Sequence, residues 1–127
     1  MPSKLRVAKI ADRIKEEISE MLVTGQISDP RLMQVFITDV KVDRELMYAS
    51  IFVSAIEGKE SSQLILEGLE HASGFLRSAL SKRIDLRSFP KLRFFWDDTP
   101  ERAERIERLI DSLSENIQED NESDGQD

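Results

Sequence analysis

Residues 35–55 read VFITDVKVDRELMYASIFVSA, and this stretch decides the fold. Two runs of β-branched and aromatic residues, Val35 to Val42 and Met47 to Ala55, flank the short polar link Asp43-Arg44-Glu45. That pattern predicts an antiparallel hairpin. Strict alternation puts Phe36, Thr38, Val40 and Val42 on one face of the first strand, with Val35 and Ile37 on the other. In the second run Met47, Ala49, Ile51, Val53 and Ala55 alternate with Tyr48, Ser50, Phe52 and Ser54. Tyr48 and Phe52 share a face; rings placed so can stack on bases, but we assign them to the core.

Outward from the hairpin lie two helical patterns. Upstream, Val7, Ile10, Ala11, Ile14, Ile18, Met21 and Leu22 recur at helical spacing, predicting a helix over about Lys4 to Val23. Ser3 caps its start and Gly25 ends it. Gln26 to Gln34 reads as a loop with a Ser28-Asp29-Pro30 turn. Downstream, a loop over Glu57 to Ser62 leads into a helical stripe from Ile65 to Ile84. Gly74 sits inside it, at a cost of about 1 kcal/mol against Ala. Ser-Gly pairs mark kinks, so Ala72-Ser73-Gly74 predicts one bent helix or two helices meeting there. Ser88-Phe89-Pro90 breaks the chain. Lys91 to Trp96 then reads as a third strand, with Leu92, Phe94 and Trp96 on one face and Arg93 and Phe95 on the other. Thr99-Pro100-Glu101 opens a last helix with apolar positions Ala103, Ile106, Leu109, Ile110 and Leu113.

The organisation expected is α+β: a domain over 1–98, a C-terminal helix over 99–115 and a disordered acidic tail over 116–127. At 127 residues the chain is long enough for a real core. Without Cys, disulfides and thiolate metal sites are excluded, and the lone His71 cannot build a His₂ site within one chain. No apolar run approaches the roughly 18 residues of a membrane span. The start lacks a secretory pattern, so a cytoplasmic protein is expected.

A net charge of −7 argues against nucleic acid only if charge is read in bulk. The acids crowd the end: 97–127 sum to −9, and 1–96 to +2. Within that body, 1–15 carry Lys4, Arg6, Lys9, Arg13 and Lys15 against Asp12. Residues 77–96 carry Arg77, Lys82, Arg83, Arg87, Lys91 and Arg93 against Asp85. Distribution outweighs total when a surface meets a polyanion. The first helix also breaks a local rule. Its cations occupy the N-terminal half and Glu16, Glu17 and Glu20 follow, opposing the helix dipole at about 0.3–1 kcal/mol per charge. Contact with phosphates is the simplest function that explains this order. Pairing of Arg13 with Glu17, four residues on, is the ordinary alternative.

Helix–strand–strand–kinked helix–strand is the order of a type II KH-like domain, with a small three-stranded sheet and helices on one face. Such domains bind RNA, usually through a Gly-x-x-Gly loop. Here Ala72-Ser73-Gly74 stands in its place. Several stretches together resemble the bacterial ribosome-binding factor A family over about residues 4–113. They are Arg6-Val7, Ile27 to Leu32, Val35 to Val42 and Ala49 to Ser54, then Ala72 to Arg77, Arg87 to Phe94 and Asp97-Asp98-Thr99.

The resemblance implies that the Ala-x-Gly kink replaces the Gly-x-x-Gly loop. It implies a non-enzymatic assembly factor that binds free small (30S) ribosomal subunits and assists late maturation and processing of 16S rRNA. A link to growth in the cold is also implied. Lys4, Arg6, Lys9 and Arg13, with Arg77, Lys82, Arg83, Arg87, Lys91 and Arg93, would face RNA. Arg31 either joins them or braces the Asp29-Pro30 turn. No cofactor, metal, small-molecule substrate or membrane is expected, and a monomer is. Two other classes stay open: an acidic protein-interaction adaptor using the last helix and tail, and an enzyme built on His71 with Asp97 or Asp98.

Overall fold

The computed structural model describes residues 2–124, with side chains described through Glu115. The chain divides after Asp97 into two units. The first contains α1 (Lys4–Val23), β1 (Val35–Val42), β2 (Tyr48–Ala55), α2 (Ser62–Arg83) and β3 (Lys91–Trp96). The second contains α3 (Thr99–Asp124).

Strand order is β1-β2-β3. β1 pairs with β2 antiparallel, as a short hairpin allows, and β2 pairs with β3 in parallel. The parallel pair needs a long crossover, and α2 supplies it. The stripe of α1 (Val7, Ile10, Ala11, Ile14, Ile18, Met21) is buried. Ile65, Leu69, Leu76 and Leu80 of α2 join Ile51 and Val53 of the central strand in the same core. Both helices therefore cover one face of the sheet, which is the KH-like α+β arrangement expected. The other face carries no helix of this unit.

The register of β1 differs from strict alternation. Val35, Ile37 and Val40 are buried while Phe36 is exposed. Ile37 pairs with Val53 and Asp39 with the adjacent Phe52, so Thr38 is an inserted residue, a β-bulge. Two long-range contacts hold it. Lys15 Nζ donates to the Thr38 carbonyl at 3.2 Å. The Thr38 hydroxyl lies 2.7 Å from Asp97 Oδ2, to which it donates, and 3.2 Å from the Phe52 carbonyl. The bulge turns Val40 inward, away from the face it would share with Phe36. Tyr48 and Phe52, assigned above to the core, lie on the face away from the helices, because one-sided covering leaves alternate β2 residues outside.

Gly74 does not divide the second helix: α2 is one helix over Ser62–Arg83. Nothing lies within 4 Å of where a Cβ on Gly74 would sit, so this glycine relieves no crowding. Gly68 does. A Cβ there would meet Arg31 Nε, Asp29 Oδ2 and Leu32 Cδ2, each at 3.2 Å. The Asp29–Leu32 turn rests against α2 at that point. In the second unit, Ile106, Leu109, Ile110 and Leu113 of α3 are exposed. α3 continues past the 99–115 expected for it, to Asp124; of the tail expected over 116–127, the side chains, and residues 125–127 altogether, lie outside the described set.

Candidate nucleic-acid interface

Ser3 Oγ accepts from the Arg6 backbone N–H at 3.1 Å, capping α1 as its sequence predicts. From there Lys4, Arg6 and Lys9 project into solvent, with no acid in the first turn. None of the three makes a side-chain hydrogen bond or ion pair among the described residues. Lys4 flanks a groove between α1 and the end of β1, lined also by Val7, Val42, Lys41 and Arg44. The start of α1 and the β1–β2 hairpin thus lie together.

The second basic stretch reaches the same end of the unit at Lys91, while Arg83 meets α1 further along, at Arg13 and Glu17, and Gln26 beyond its end. The Lys91 backbone N–H donates to the Met47 carbonyl at 2.9 Å, placing the start of β3 beside the hairpin. Arg13 Nη2 donates to the Arg83 carbonyl at 3.1 Å, placing the end of α2 beside α1. Lys82, Arg87 and Lys91 are exposed, and none has a side-chain partner among the described residues. Lys41 and Arg44, which sequence reasoning missed, belong to this end too. Their signal was present in the hairpin link, but only the packing of α1 against β1 gives it meaning. Asp43 also lies here, with Oδ1 spent on the Met47 and Tyr48 backbone N–H groups at 2.9 and 2.7 Å.

Other expected contact residues are engaged within the protein. Glu17 receives Arg13 Nε at 3.2 Å and Arg83 Nη1 at 3.0 Å, joining α1 to α2. Arg83 Nη2 also donates to Gln26 Oε1 at 3.0 Å. Hydrogen bonds from Arg83 and then Arg13 hold the Glu17 carboxyl below the usual carboxylate range. Arg77 donates to the carbonyls of Phe89 at 2.6 Å and Pro90 at 3.3 Å, closing the loop that leads into β3. Arg31 braces its turn, with Nη2 at 2.7 Å from Asp29 Oδ2 and Nε at 3.0 Å from Oδ1. The same pairing lowers the Asp29 pKa and raises that of Arg31. Arg93 stacks its guanidinium 3.5 Å from the Tyr48 ring centroid.

The acid–base pair considered for catalysis is not assembled. His71 Nδ1 lies 3.2 Å from Arg31 Nη2, which can only donate to it. Asp97 accepts from Thr38, and Asp98 pairs with Arg102 at 2.7 Å. Among the described residues no group of three or more His, Cys, Asp or Glu could hold a metal ion. No described helix is long and apolar enough to cross a membrane. What remains is a set of uncommitted cations that α1, the hairpin, the end of α2 and the start of β3 present to solvent. Such cations suit a polyanion.

Comparison with known proteins gives the same direction. The family model of ribosome-binding factor A matches residues 6–110. Ribosome-binding factor A of Nitrosomonas europaea is 43% identical over 106 residues, covering 84% of this chain and 90% of that protein. The Gloeobacter violaceus protein of the same name is 42% identical over 110 residues, covering 85% of each. The crystal structure of ribosome-binding factor A from Thermus thermophilus is similar with a TM-score of 0.60 and 26% identity, over 70% of this chain and 93% of that one. A Thermus thermophilus ribosome-binding factor A model fitted into a cryo-electron-microscopy map of its 30S complex matches at a TM-score of 0.59 and 25% identity, over 72% of this chain and 94% of that one. With its cation-bearing KH-like unit inside the matched residues, this chain belongs to the ribosome-binding factor A family.

Proposed function

We propose that this chain binds free small ribosomal subunits and assists late maturation of 16S rRNA, including its end processing, without catalysing a reaction itself. It works as a monomer in the cytoplasm and supports growth in the cold. The KH-like unit over 1–98 holds the RNA, and α3 with the acidic stretch over 116–127 lies outside that task. The observation that carries the reading is that Lys4, Arg6, Lys9, Lys82, Arg87 and Lys91 are exposed and without partners among the described residues. Phosphate neutralisation by these cations displaces counterions and supplies affinity. Structured rRNA is held by shape and backbone, so little base reading is needed. Arg13, Arg31, Arg77 and Arg83 serve differently: they fix the angles between the elements that bear the free cations.

The test is co-sedimentation of the purified protein with free small subunits and with intact ribosomes, across a salt series. Binding to free small subunits that weakens steeply with salt is the expected result. Salt-insensitive binding, or none, overturns the reading. One observation favours the adaptor reading in part: α3 exposes Ile106, Leu109, Ile110 and Leu113 on one stripe, as a helix awaiting a protein groove would. Removal of residues 99–127 with full retention of subunit binding excludes that reading as the main function.

A further inference from the structure

The sheet face away from α1 and α2 has an unusual population. Phe95 is 43% exposed and Phe36 40% exposed. Phe52 lies between the edge strands and stacks on Phe95, with ring centroids 5.5 Å apart and planes inclined by 28°. Lys41 Nζ sits 5.4 Å from the Phe52 ring centroid. Arg93 lies flat on Tyr48, further along the same face. At about 3.3 Å per residue, Tyr48 and Phe52 are about 13 Å apart along β2.

Neither Lys41 nor Arg93 has a carboxylate partner among the described residues. Two acids share this face, both engaged within the protein: Asp39 Oδ1 accepts from the neighbouring Val40 backbone N–H at 2.9 Å, and Asp97, two residues after Phe95, accepts from the Thr38 hydroxyl at 2.7 Å. At the far end of β2, Ser54 is fully buried. A protein interface could use the aromatic rings alone. Cations lying over those rings and left without acidic partners add a demand for negative charge close to flat, stackable surfaces. Unpaired nucleotides meet both demands, because every base has a π-face and every step a phosphate. Paired RNA meets only the second.

We propose that this open sheet face is a second nucleic-acid surface that takes unpaired RNA, with bases stacking on Phe95, Phe52, Phe36 and the Tyr48–Arg93 pair and phosphates held by Lys41 and Arg93. It rests on the reading of this chain as an RNA-binding factor, and it separates two tasks. The cation-bearing end grips structured rRNA by its backbone, and the sheet face holds a single strand. A factor that acts while an rRNA end is still being processed has use for both.

The test is fluorescence anisotropy with a fluorescein-labelled decaribonucleotide of alternating C and A, which cannot pair with itself. The full chain should bind it. Phe95→Leu and Arg93→Gln should each weaken binding about five- to hundredfold, the range for loss of one stacked base. Phe36→Leu provides a further variant at an exposed position, and unchanged melting curves show that each variant is folded. Lys59→Ala, at an exposed position on neither surface, should leave oligonucleotide affinity within about threefold. No binding by the wild type leaves the face to a protein partner and overturns the proposal. So does equal binding by Phe95→Leu and Arg93→Gln, or equal binding of a fully paired RNA hairpin with the same sensitivity to Phe95→Leu. Those failures leave the subunit-binding reading intact, since that is read from sedimentation with subunits.

Discussion

Changing Lys4, Arg6 and Lys9 together to Ala should make the protein more stable and a poorer ligand for small subunits. The two effects have separate physical origins. Lys4 and Arg6 lie in the first turn of α1, where backbone N–H groups carry the positive end of the helix dipole. Each cation there costs about 0.3–1 kcal/mol. None of the three side chains has a partner among the described residues, and Ala is at least as good a helix former. A gain of about 1 kcal/mol follows, raising the melting temperature by about 4 °C. On the binding side, each phosphate contact contributes about 0.9 to the slope of log K against log salt. Loss of three flattens the slope by about 2.7. At about 0.1 M salt that corresponds to a several-hundredfold loss of affinity. The assays are thermal melting by circular dichroism and subunit binding from about 50 to 200 mM salt. A variant that melts earlier shows that the cations stabilise the fold after all. A variant whose salt slope equals that of the wild type shows that they touch no phosphate. Either result refutes the argument.

Three further outcomes follow from the geometry. Glu17→Gln should cost about 1 kcal/mol at about pH 7, measured by urea unfolding. Because the folded Glu17 pKa lies below its ordinary 4.5, that advantage is fully present above pH 4.5 and fades as pH falls through the lower folded value, where wild type and variant converge. Arg77→Ala should destabilise by about 1–3 kcal/mol through loss of the bonds to Phe89 and Pro90. Its salt slope for subunit binding should stay at the wild-type value. Gly74→Ala should stabilise by about 1 kcal/mol, since α2 is continuous there and the space is open. A loss of stability on thermal melting would show that the helix bends at Gly74 in a way Ala opposes.

Much of the fold is legible in local pattern. Ser3 and the stripe from Val7 to Met21 define α1, and alternating β-branched runs define the hairpin, because these signals lie within a few residues of what they specify. The face of Val40 is not legible in this way. It depends on a bulge at Thr38 held by Lys15, 23 residues earlier, and Asp97, 59 residues later. Gly68 carries no local sign that a turn rests on it. Tyr48 and Phe52 read as core because alternation separates two faces but does not say which one helices cover. The candidate site divides similarly. Every cation is visible in the sequence, and so are the local options of Arg13 with Glu17 and Arg31 with Asp29; the long-range commitments are not. Arg13 meets Arg83 across 70 positions and Arg31 meets His71 across 40. Only the three-dimensional partners separate the arginines that hold shape from the lysines and arginines left without partners among the described residues.

Lysine acetylation footprinting tests that division most directly. The protein is acetylated free and on small subunits, and modification is read by mass spectrometry. Lys4, Lys9, Lys82 and Lys91 should be reactive when free and protected on the subunit. Lys59, in the turn Lys59–Ser61 that follows the other end of β2, should stay reactive in both. Lys15, held on the Thr38 carbonyl, should react weakly throughout. Protection of Lys59 with continued reactivity of Lys4, Lys9, Lys82 and Lys91 would contradict the account.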